Sequence, residues 1–298
     1  MCGVAVYPAA FDYLDPTSVP EAIDFLQSHE GEDVKVLAGG QSLIPLMRLR
    51  FARPSYLVDL NRIRALRSLN LEGGWLQIGA LVRESELERS REVRQRFEIL
   101  YETTRVIADP SVRNLATVGG NLAHGDPAND HPATMMALDA SVVADGPQGE
   151  RVIPVRQFFL GLFETALEPA EILTEIRIPP VPPDTGLAYR KLKRQVGDFA
   201  IVGVAARLSL TSGIVSDAHL VYTNVGATPQ RIESAAQGLV GHQATEEAFW
   251  SAGTAAANAL ELRDDIRGSS LYRHRVVRAL TTRALCAARE RASDGGDR

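Results

Sequence analysis

Hydrophobic and polar positions near the start of the chain switch between the period of a helix and that of a strand. An apolar stripe at 22–26 follows Ser18 and Glu21, whose spacing matches a capping box, so we expect a helix there. Short apolar runs predict strands at 34–37 and 56–58. Helix and strand periods within so short a stretch indicate a mixed first unit.

The pattern continues in the same mixed way as far as residue 155. Alternation on both sides of Glu72-Gly73-Gly74 predicts a hairpin. The predicted elements of this part are a helical turn at 43–49, the hairpin at 69–80, a helix at 83–106, a loop-rich stretch from 107 leading to a helix at 132–138, and paired strands at 140–144 and 151–155.

Four prolines in 179-PPVPPD-184 divide the chain, since neither a helix nor a central strand tolerates them. The fold class is therefore α+β, with a first domain at 1–178, a second at 185–288 and a frayed tail at 289–298. The second domain is predicted to contain strands at 187–194, 201–210 and 214–226, and then helices at 231–240, 244–262 and 270–292.

Composition narrows the functional class. The 298 residues carry a net charge of −5 with no basic block, which argues against nucleic-acid binding. No apolar run is long enough for a transmembrane helix, and the N-terminus lacks the basic region of a signal peptide. Only Cys2 and Cys286 are present, so neither a disulfide framework nor an iron–sulfur cluster held by four cysteines of this chain is possible. We expect a cytoplasmic protein.

Two loops share a Gly-Gly pair followed by a polar residue. They are 37-LAGGQSLI-44 and 117-TVGGNLA-123. Adjacent glycines let backbone N–H groups point into one concavity, and such a nest suits a phosphate. Neither loop is G-x-G-x-x-G or G-x-x-x-x-G-K-[ST], which disfavours a Rossmann or P-loop site. From these residues alone, a diphosphate cradle and an ordinary turn both remain open.

Other chemistry is less well supported by the residues. His124, Asp126, Asp130 and His131 could in principle hold a metal, but nothing in their spacing requires them to converge. A Ser/His/Asp triad lacks a G-x-S-x-G nucleophile elbow. We therefore predict no metal ligand and no acid–base catalytic residue, and assign no role to His124, Asp126 or His131.

Two long motifs carry a family resemblance. They are 36-VLAGGQSLIPLMRLR-50 and 108-ADPSVRNLATVGGNLAHGDPANDHPA-133, with weaker support from 171–179 and 189–206. The chain resembles the FAD-binding medium subunit of the molybdenum hydroxylases, the family of xanthine dehydrogenase and carbon monoxide dehydrogenase. The resemblance implies a two-subdomain FAD-binding fold of the vanillyl-alcohol-oxidase (PCMH) type, followed by a C-terminal domain with a small antiparallel sheet packed on helices.

The resemblance also implies where FAD binds. Both glycine loops would hold the diphosphate, and Asp130 would accept a hydroxyl of the sugar portion. Ile107 and Leu173 would make apolar contacts with the flavin, and Lys191, or Arg190 in its place, would lie beside the ring. The complete implied set is Leu37, Ala38, Gly39, Gly40, Gln41, Ser42, Leu43, Ile44, Ile107, Thr117, Gly119, Gly120, Asn121, Asp130, Leu173 and Lys191.

The implied function is electron transfer. Noncovalently bound FAD would take electrons from 2Fe–2S clusters on a small partner subunit and pass them to an external acceptor. A large molybdopterin-binding subunit would act on the substrate, and the complex would be a dimer of heterotrimers. A stand-alone flavin oxidoreductase and a scaffold that kept the fold but lost the flavin are the alternatives. The intact glycine pairs favour the electron-transfer subunit.

Overall fold

A small parallel sheet opens the part of the chain that the computed structural model describes, residues 7–294. Its strands are β1 (Asp12–Leu14), β2 (Val34–Leu37) and β3 (Tyr56–Asp59), in the order β1-β3-β2, with helices α1 (Val19–Ser28) and α2 (Leu43–Arg48). The hydroxyl of Ser18 caps α1 by accepting the Glu21 amide at 3.4 Å, as the sequence predicts. The first glycine loop fills the short link between β2 and α2.

A five-stranded antiparallel sheet forms the second unit. Its order is β4-β5-β10-β6-β7, with bounds β4 (Leu69–Glu72), β5 (Trp75–Gly79), β6 (Ser141–Gly146), β7 (Gly149–Pro154) and β10 (Ile172–Ile178). The predicted β4–β5 hairpin is confirmed, because Gly73 and Gly74 take φ of 58° and 84° at its tip. A separate two-stranded hairpin, β8 (Phe159–Gly161) and β9 (Glu164–Thr165), precedes β10.

The predicted helix at 83–106 is wrong as a single element. The structure divides it into α3 (Glu84–Arg89), α4 (Arg91–Arg96) and α5 (Glu98–Val106). Ser90 is extended at φ −66° and ψ 121°, and its hydroxyl accepts the Val93 amide at 3.2 Å. Serine competes in this way with the helical backbone, which Glu/Arg/Leu composition does not reveal.

The stretch from 107 is also more helical than predicted. It contains α6 (Pro110–Arg113) and α7 (Val118–Ala123) before α8 (His131–Ala137). Asp109 caps α6 and Thr117 caps α7. The second glycine pair therefore lies in the first turn of α7 and not in an open loop.

The C-terminal part of the chain follows the proline-rich segment. Its antiparallel sheet has the order β11-β12-β13-β14, with β11 (Thr185–Leu192), β12 (Val202–Thr211), β13 (Ile214–Thr223) and β14 (Gln230–Arg231). Helices α9 (Glu233–Gln237), α10 (Glu246–Ala259) and α11 (Ser270–Asp294) follow it. Because α11 continues to Asp294, the tail is not frayed from 289 as predicted; residues 295–298 and Cys2 lie outside the described residues.

One carboxylate ties the two domains together. Glu102 on α5 accepts from Arg190 at 2.5 Å, from Arg291 at 2.6 Å and from the Tyr189 amide at 2.9 Å. Burial acts to raise the pKa of Glu102, but these donors outweigh it and lower the pKa. The pairing fixes β11 against α5, and β11 carries the residues that face the candidate site.

Candidate functional site

The first glycine loop presents a run of free backbone donors. Gly40 has φ of +71°, which turns the chain between β2 and α2. The amides of residues 39–43 have no acceptor among residues 7–294, and the loop is half-buried. The Gln41 side-chain amide donates to the Gly39 carbonyl at 3.2 Å and holds the turn. Five consecutive unpaired amides form the kind of concavity that binds an anion.

The second glycine pair is built differently. The amides of Val118 and Gly119 donate to Val82 and Ala80 at 3.0 Å each, and the Gly120 amide donates to the Thr117 hydroxyl at 3.1 Å. The Asn121 amide donates to the Thr117 carbonyl at 2.9 Å. These amides are already used within the fold, so the expectation of a free nest is met only by the first loop. The Asn121 side-chain oxygen is buried and has no partner in the described residues, and only the Nδ2 group of this side chain could donate to an anion.

The two loops lie in direct contact. A Cβ on Gly39 would overlap the Leu115 carbonyl oxygen and lie 2.8 Å from the Cα of Ala116. A Cβ on Gly120 would lie 3.6 Å from the Cβ of Ala38. Gly39 is thus required by close backbone approach, and the two sequence motifs form one surface.

Asp130 and Lys191 form a buried ion pair at one side of this surface. Lys191 Nζ lies 2.7 Å from Asp130 Oδ2, with side-chain exposures of 2% and 5%. The Tyr189 hydroxyl donates to Asp130 Oδ1 at 2.6 Å, and burial followed by the Asp130 charge raises the pKa of Tyr189 well above its usual value. A carboxylate can accept four hydrogen bonds, so Asp130 keeps acceptor capacity beyond these two partners.

The Arg190 side chain points away from Asp130 and toward Glu102. Successive strand residues face opposite sides of a sheet. Arg190 binds Glu102, whereas Lys191 and Lys193 each donate to the Val106 carbonyl at 3.2 Å. Burial and the neighbouring Lys191 lower the pKa of Lys193. Sequence reasoning missed Tyr189 and Lys193, although the period of two along β11 from Lys191 could have found both.

The apolar site residues surround the same region. Ile107 follows Val106 at the end of α5 and is buried, and Leu173 is buried on β10 opposite Ala144. Next to Leu173, the Thr174 carbonyl accepts the Ala80 amide at 2.9 Å, and Ala80 in turn accepts Gly119. At the first loop, Leu37 ends β2 as a buried residue, Leu43 is half-buried at the start of α2, and Ile44 is exposed.

A further contact connects Asp130 to the second loop. Asn129, the residue before it, donates from its side-chain amide to the Asn121 carbonyl at 2.8 Å. The two glycine loops, Asn121, Asp130 and Lys191 are therefore parts of one continuous region.

The histidines and Asp126 have structural partners. His131 Nε2 lies 2.7 Å from Glu84 Oε2, and both side chains are fully buried. His124 contacts the Phe163 ring at 5.2 Å between centroids, and burial lowers its pKa. Asp126 accepts the Ala128 amide at 2.8 Å, which closes an Asx turn. Within residues 7–294, no group of three or more His, Cys, Asp or Glu side chains could hold a metal ion.

Comparison with known proteins identifies the family. Residues 9–181 match the model of the FAD binding domain in molybdopterin dehydrogenase, and residues 187–288 match that of the CO dehydrogenase flavoprotein C-terminal domain. The chain belongs to this family. It is thus a flavoprotein medium subunit of the molybdenum hydroxylase class, and the predicted two-part fold is confirmed.

The similarity to individual members extends over nearly the whole chain. The carbon monoxide dehydrogenase medium chain of Hydrogenophaga pseudoflava is 43% identical, across 94% of this chain and 98% of that one. The 6-hydroxypseudooxynicotine dehydrogenase complex subunit alpha of Paenarthrobacter nicotinovorans is 37% identical, across 96% of each.

Solved structures show the same similarity. Carbon monoxide dehydrogenase from Hydrogenophaga pseudoflava, lacking the Mo-pyranopterin moiety, superposes with a TM-score of 0.91 at 44% identity, covering 94% of this chain and 98% of that one. Quinoline 2-oxidoreductase from Pseudomonas putida 86 gives 0.90 at 32% identity, covering 96% and 99%.

Proposed function

We propose that this chain binds FAD noncovalently and passes electrons from iron–sulfur clusters to an external acceptor within a molybdenum hydroxylase complex. The observation that carries the proposal is the run of five unpaired amides at 39–43, held against the second glycine loop. No acceptor among residues 7–294 uses these donors, and a diphosphate would satisfy them. Membership of the family supports the same ligand.

Each part of the site fits a part of FAD. We assign the amides of the first loop and the side-chain Nδ2 group of Asn121 to the diphosphate, and Asp130 to a sugar hydroxyl. Lys191 has three ammonium hydrogens, of which Asp130 and the Val106 carbonyl take two. The third is left for the flavin ring, against which Ile107 and Leu173 would make apolar contacts.

When bound, FAD supplies a redox centre that accepts and releases electrons. The task of this chain is to hold it and to set its electrostatic surroundings. Lys191 is largely neutralised by Asp130, whereas Lys193 has no carboxylate within 4.0 Å among the described residues. A positive charge at this position favours negative charge on the ring and so favours its reduction.

The proposal extends to the assembly. A molybdopterin-binding large subunit and a small subunit with 2Fe–2S clusters would join this chain in a cytoplasmic dimer of heterotrimers. No helix in residues 7–294 is long and apolar enough to span a membrane. We place the domain boundary in 179–184, so that residues 1–178 bind FAD and residues 185–288 supply Lys191.

The full chain, purified without flavin and reconstituted with FAD, tests the function. We expect a stoichiometric flavin absorbance spectrum from the wild type and none from Gly40→Val. Gly31→Val is the matched control, because Gly31 also has positive φ at +88° but lies in the turn before β2, away from the loop. Failure of the wild type to retain FAD, or equal FAD retention by Gly40→Val and Gly31→Val, would reject the diphosphate assignment.

A further inference from the structure

Arg83 contacts two groups that hold the glycine loops in place, the Leu115 carbonyl and the Asn61 side chain. Its Nη1 donates to the Leu115 carbonyl, the group against which Gly39 packs. Its Nη2 donates to Asn61 Oδ1 at 2.6 Å. Asn61 in turn donates from Nδ2 to the Ala38 carbonyl at 2.7 Å. One guanidinium therefore holds both loops, through Asn61 on one side and directly on the other.

A second guanidinium lies beside the first. Arg67 Nη2 donates to the Asn61 carbonyl at 2.9 Å. Neither the Arg67 nor the Arg83 guanidinium has a carboxylate oxygen within 4.0 Å among residues 7–294, although many other arginines do. Glu86, on the helix that begins after Arg83, instead accepts the Arg83 backbone amide at 2.7 Å. The nearby Asp59 carboxylate is used by Asn61 and the Tyr13 hydroxyl.

This arrangement is electrostatically unfavourable for the chain alone. Burial and then the Arg67 charge lower the pKa of Arg83, and the charges of Glu86 and Asp59 only partly oppose this effect. Arg83 is half-buried and Arg67 is exposed, and their like charges repel each other unless an anion lies between or beside them. The five free amides of residues 39–43, on the loop that Asn61 anchors, add further positive potential.

We propose that Arg83 is a further FAD-binding residue, which holds the two glycine loops at the spacing that the diphosphate requires and supplies positive charge to it. Arg67 adds charge without joining the loops. The inference rests on the proposed function, because it needs a diphosphate at the first loop. It identifies a cationic component that neither glycine motif contains.

Two roles of Arg83 can be told apart: holding the loops by hydrogen bonds alone, or also attracting the diphosphate by its charge. FAD binding responds differently to substitution and to salt in the two cases. Lysine keeps the charge but cannot match the two-branched contact, and glutamine loses the charge. Salt weakens binding that depends on charge and leaves a neutral clamp nearly unaffected. Arg91 on α4 is an exposed arginine with no ion pair to any residue from 7 to 294, so Arg91→Gln is the matched control for loss of one charge.

The experiment measures FAD binding to the flavin-free full chain at low and high salt, with inorganic pyrophosphate as competitor. We expect Arg83→Gln to raise the FAD Kd about tenfold, the loss of one charged hydrogen-bonding group. Its salt dependence should be shallower and pyrophosphate should compete less well. Arg83→Lys should fall between Arg83→Gln and the wild type, Arg67→Gln should raise the Kd about threefold, and Arg91→Gln should match the wild type.

The outcomes separate the two proposals. No FAD binding by the wild type contradicts the proposed function, and this inference with it. Wild-type FAD binding with equal Kd and equal pyrophosphate competition in Arg83→Gln and Arg91→Gln contradicts the inference alone. The same holds if Arg83→Gln only weakens assembly with partner subunits, since its guanidinium would then face a protein carboxylate. Should Arg83→Gln not fold, Arg67→Gln carries the charge test, because the Arg67 side chain is exposed, and unchanged salt dependence there also contradicts the inference.

Discussion

The two Gly-Gly loops look alike in sequence but differ in how the fold uses them. The backbone amides of the second loop donate hydrogen bonds to Ala80, Val82 and Thr117, so this loop is part of the hydrogen-bonded scaffold. The first loop has five amides without an acceptor in the described part of the chain, and the Asn61 side chain holds it by donating to the Ala38 carbonyl. Identical motifs can therefore serve structure in one place and ligand binding in another. The difference is decided by the backbone acceptors that lie nearby in space.

The largest expected effect is a loss of stability, and it comes from a residue connected to the second loop. The second loop connects through Asn129 to Asp130, whose carboxylate balances the buried Lys191. Asp130→Asn leaves that ammonium unpaired, and we expect the free energy of unfolding of the FAD-free chain to fall by about 3 kcal/mol. Chemical denaturation measures it.

An exposed aspartate provides the control for that substitution. Asp139 pairs with Arg207 at 2.7 Å and with Arg231 at 3.5 Å, but its side chain is 45% exposed, so Asp139→Asn should lower the free energy of unfolding by less than about 1 kcal/mol. If Asp130→Asn and Asp139→Asn lower the free energy of unfolding equally, the buried Asp130–Lys191 pair stabilises the fold no more than an exposed ion pair does.

Part of this picture could be predicted from the sequence and part could not. The glycine pairs, the β4–β5 hairpin and the break at 179–184 are local signals, because turn and breaker residues act on their own neighbours. The period of two along β11 also separates Lys191 from Arg190 once the strand is known.

The missed features depend on distant contacts. The use of the second loop's amides depends on Ala80 and Val82, more than 30 residues away, and no motif in 117–123 encodes it. The same is true of Arg83, which is an ordinary helix-flanking arginine in the sequence and meets Asn61 and Leu115 only in the fold. The Glu84–His131 pair likewise spans 47 positions.

A smaller difference in stability is expected between alanine substitutions at Gly119 and at Gly40. A Cβ on Gly119 would lie 2.6 Å from the Cα of Ala80, and backbone cannot move aside easily. Gly119→Ala should lower the free energy of unfolding by about 2 to 3 kcal/mol. Gly40→Ala adds a methyl group near the flexible end of Ile44 at positive φ, and should lower it by about 1 kcal/mol.

The two alanine variants should also differ in which property they lose. Gly40→Ala should impair FAD binding more than its modest loss of stability explains, because it alters the loop with the free amides. Gly119→Ala should lose stability already in the FAD-free chain. Thermal unfolding with and without FAD measures both. If the two variants lose stability and FAD binding in the same proportion, the division between scaffold and ligand loop is wrong.

The smallest effect tests the residues that precede the two helical turns. The Thr117 hydroxyl caps α7 by accepting the Gly120 amide at 3.1 Å, whereas Ser42 before α2 makes no side-chain capping bond. Thr117→Ala should therefore lower the free energy of unfolding of the FAD-free chain by about 1 kcal/mol. Ser42→Ala should leave it unchanged within about 0.5 kcal/mol, the range of ordinary surface substitutions. Each variant removes one hydroxyl beside a Gly-Gly motif, and Thr117→Ala also removes a buried methyl group. FAD affinity should show the opposite order, with Ser42→Ala losing more than Thr117→Ala. The reason is that the Ser42 hydroxyl, which has no capping bond within residues 7–294, can donate to the diphosphate, whereas the Thr117 hydroxyl stays bonded to Gly120. Equal stability losses without FAD would mean that both hydroxyls cap their helices in solution, and the first loop would then not be held open for a ligand.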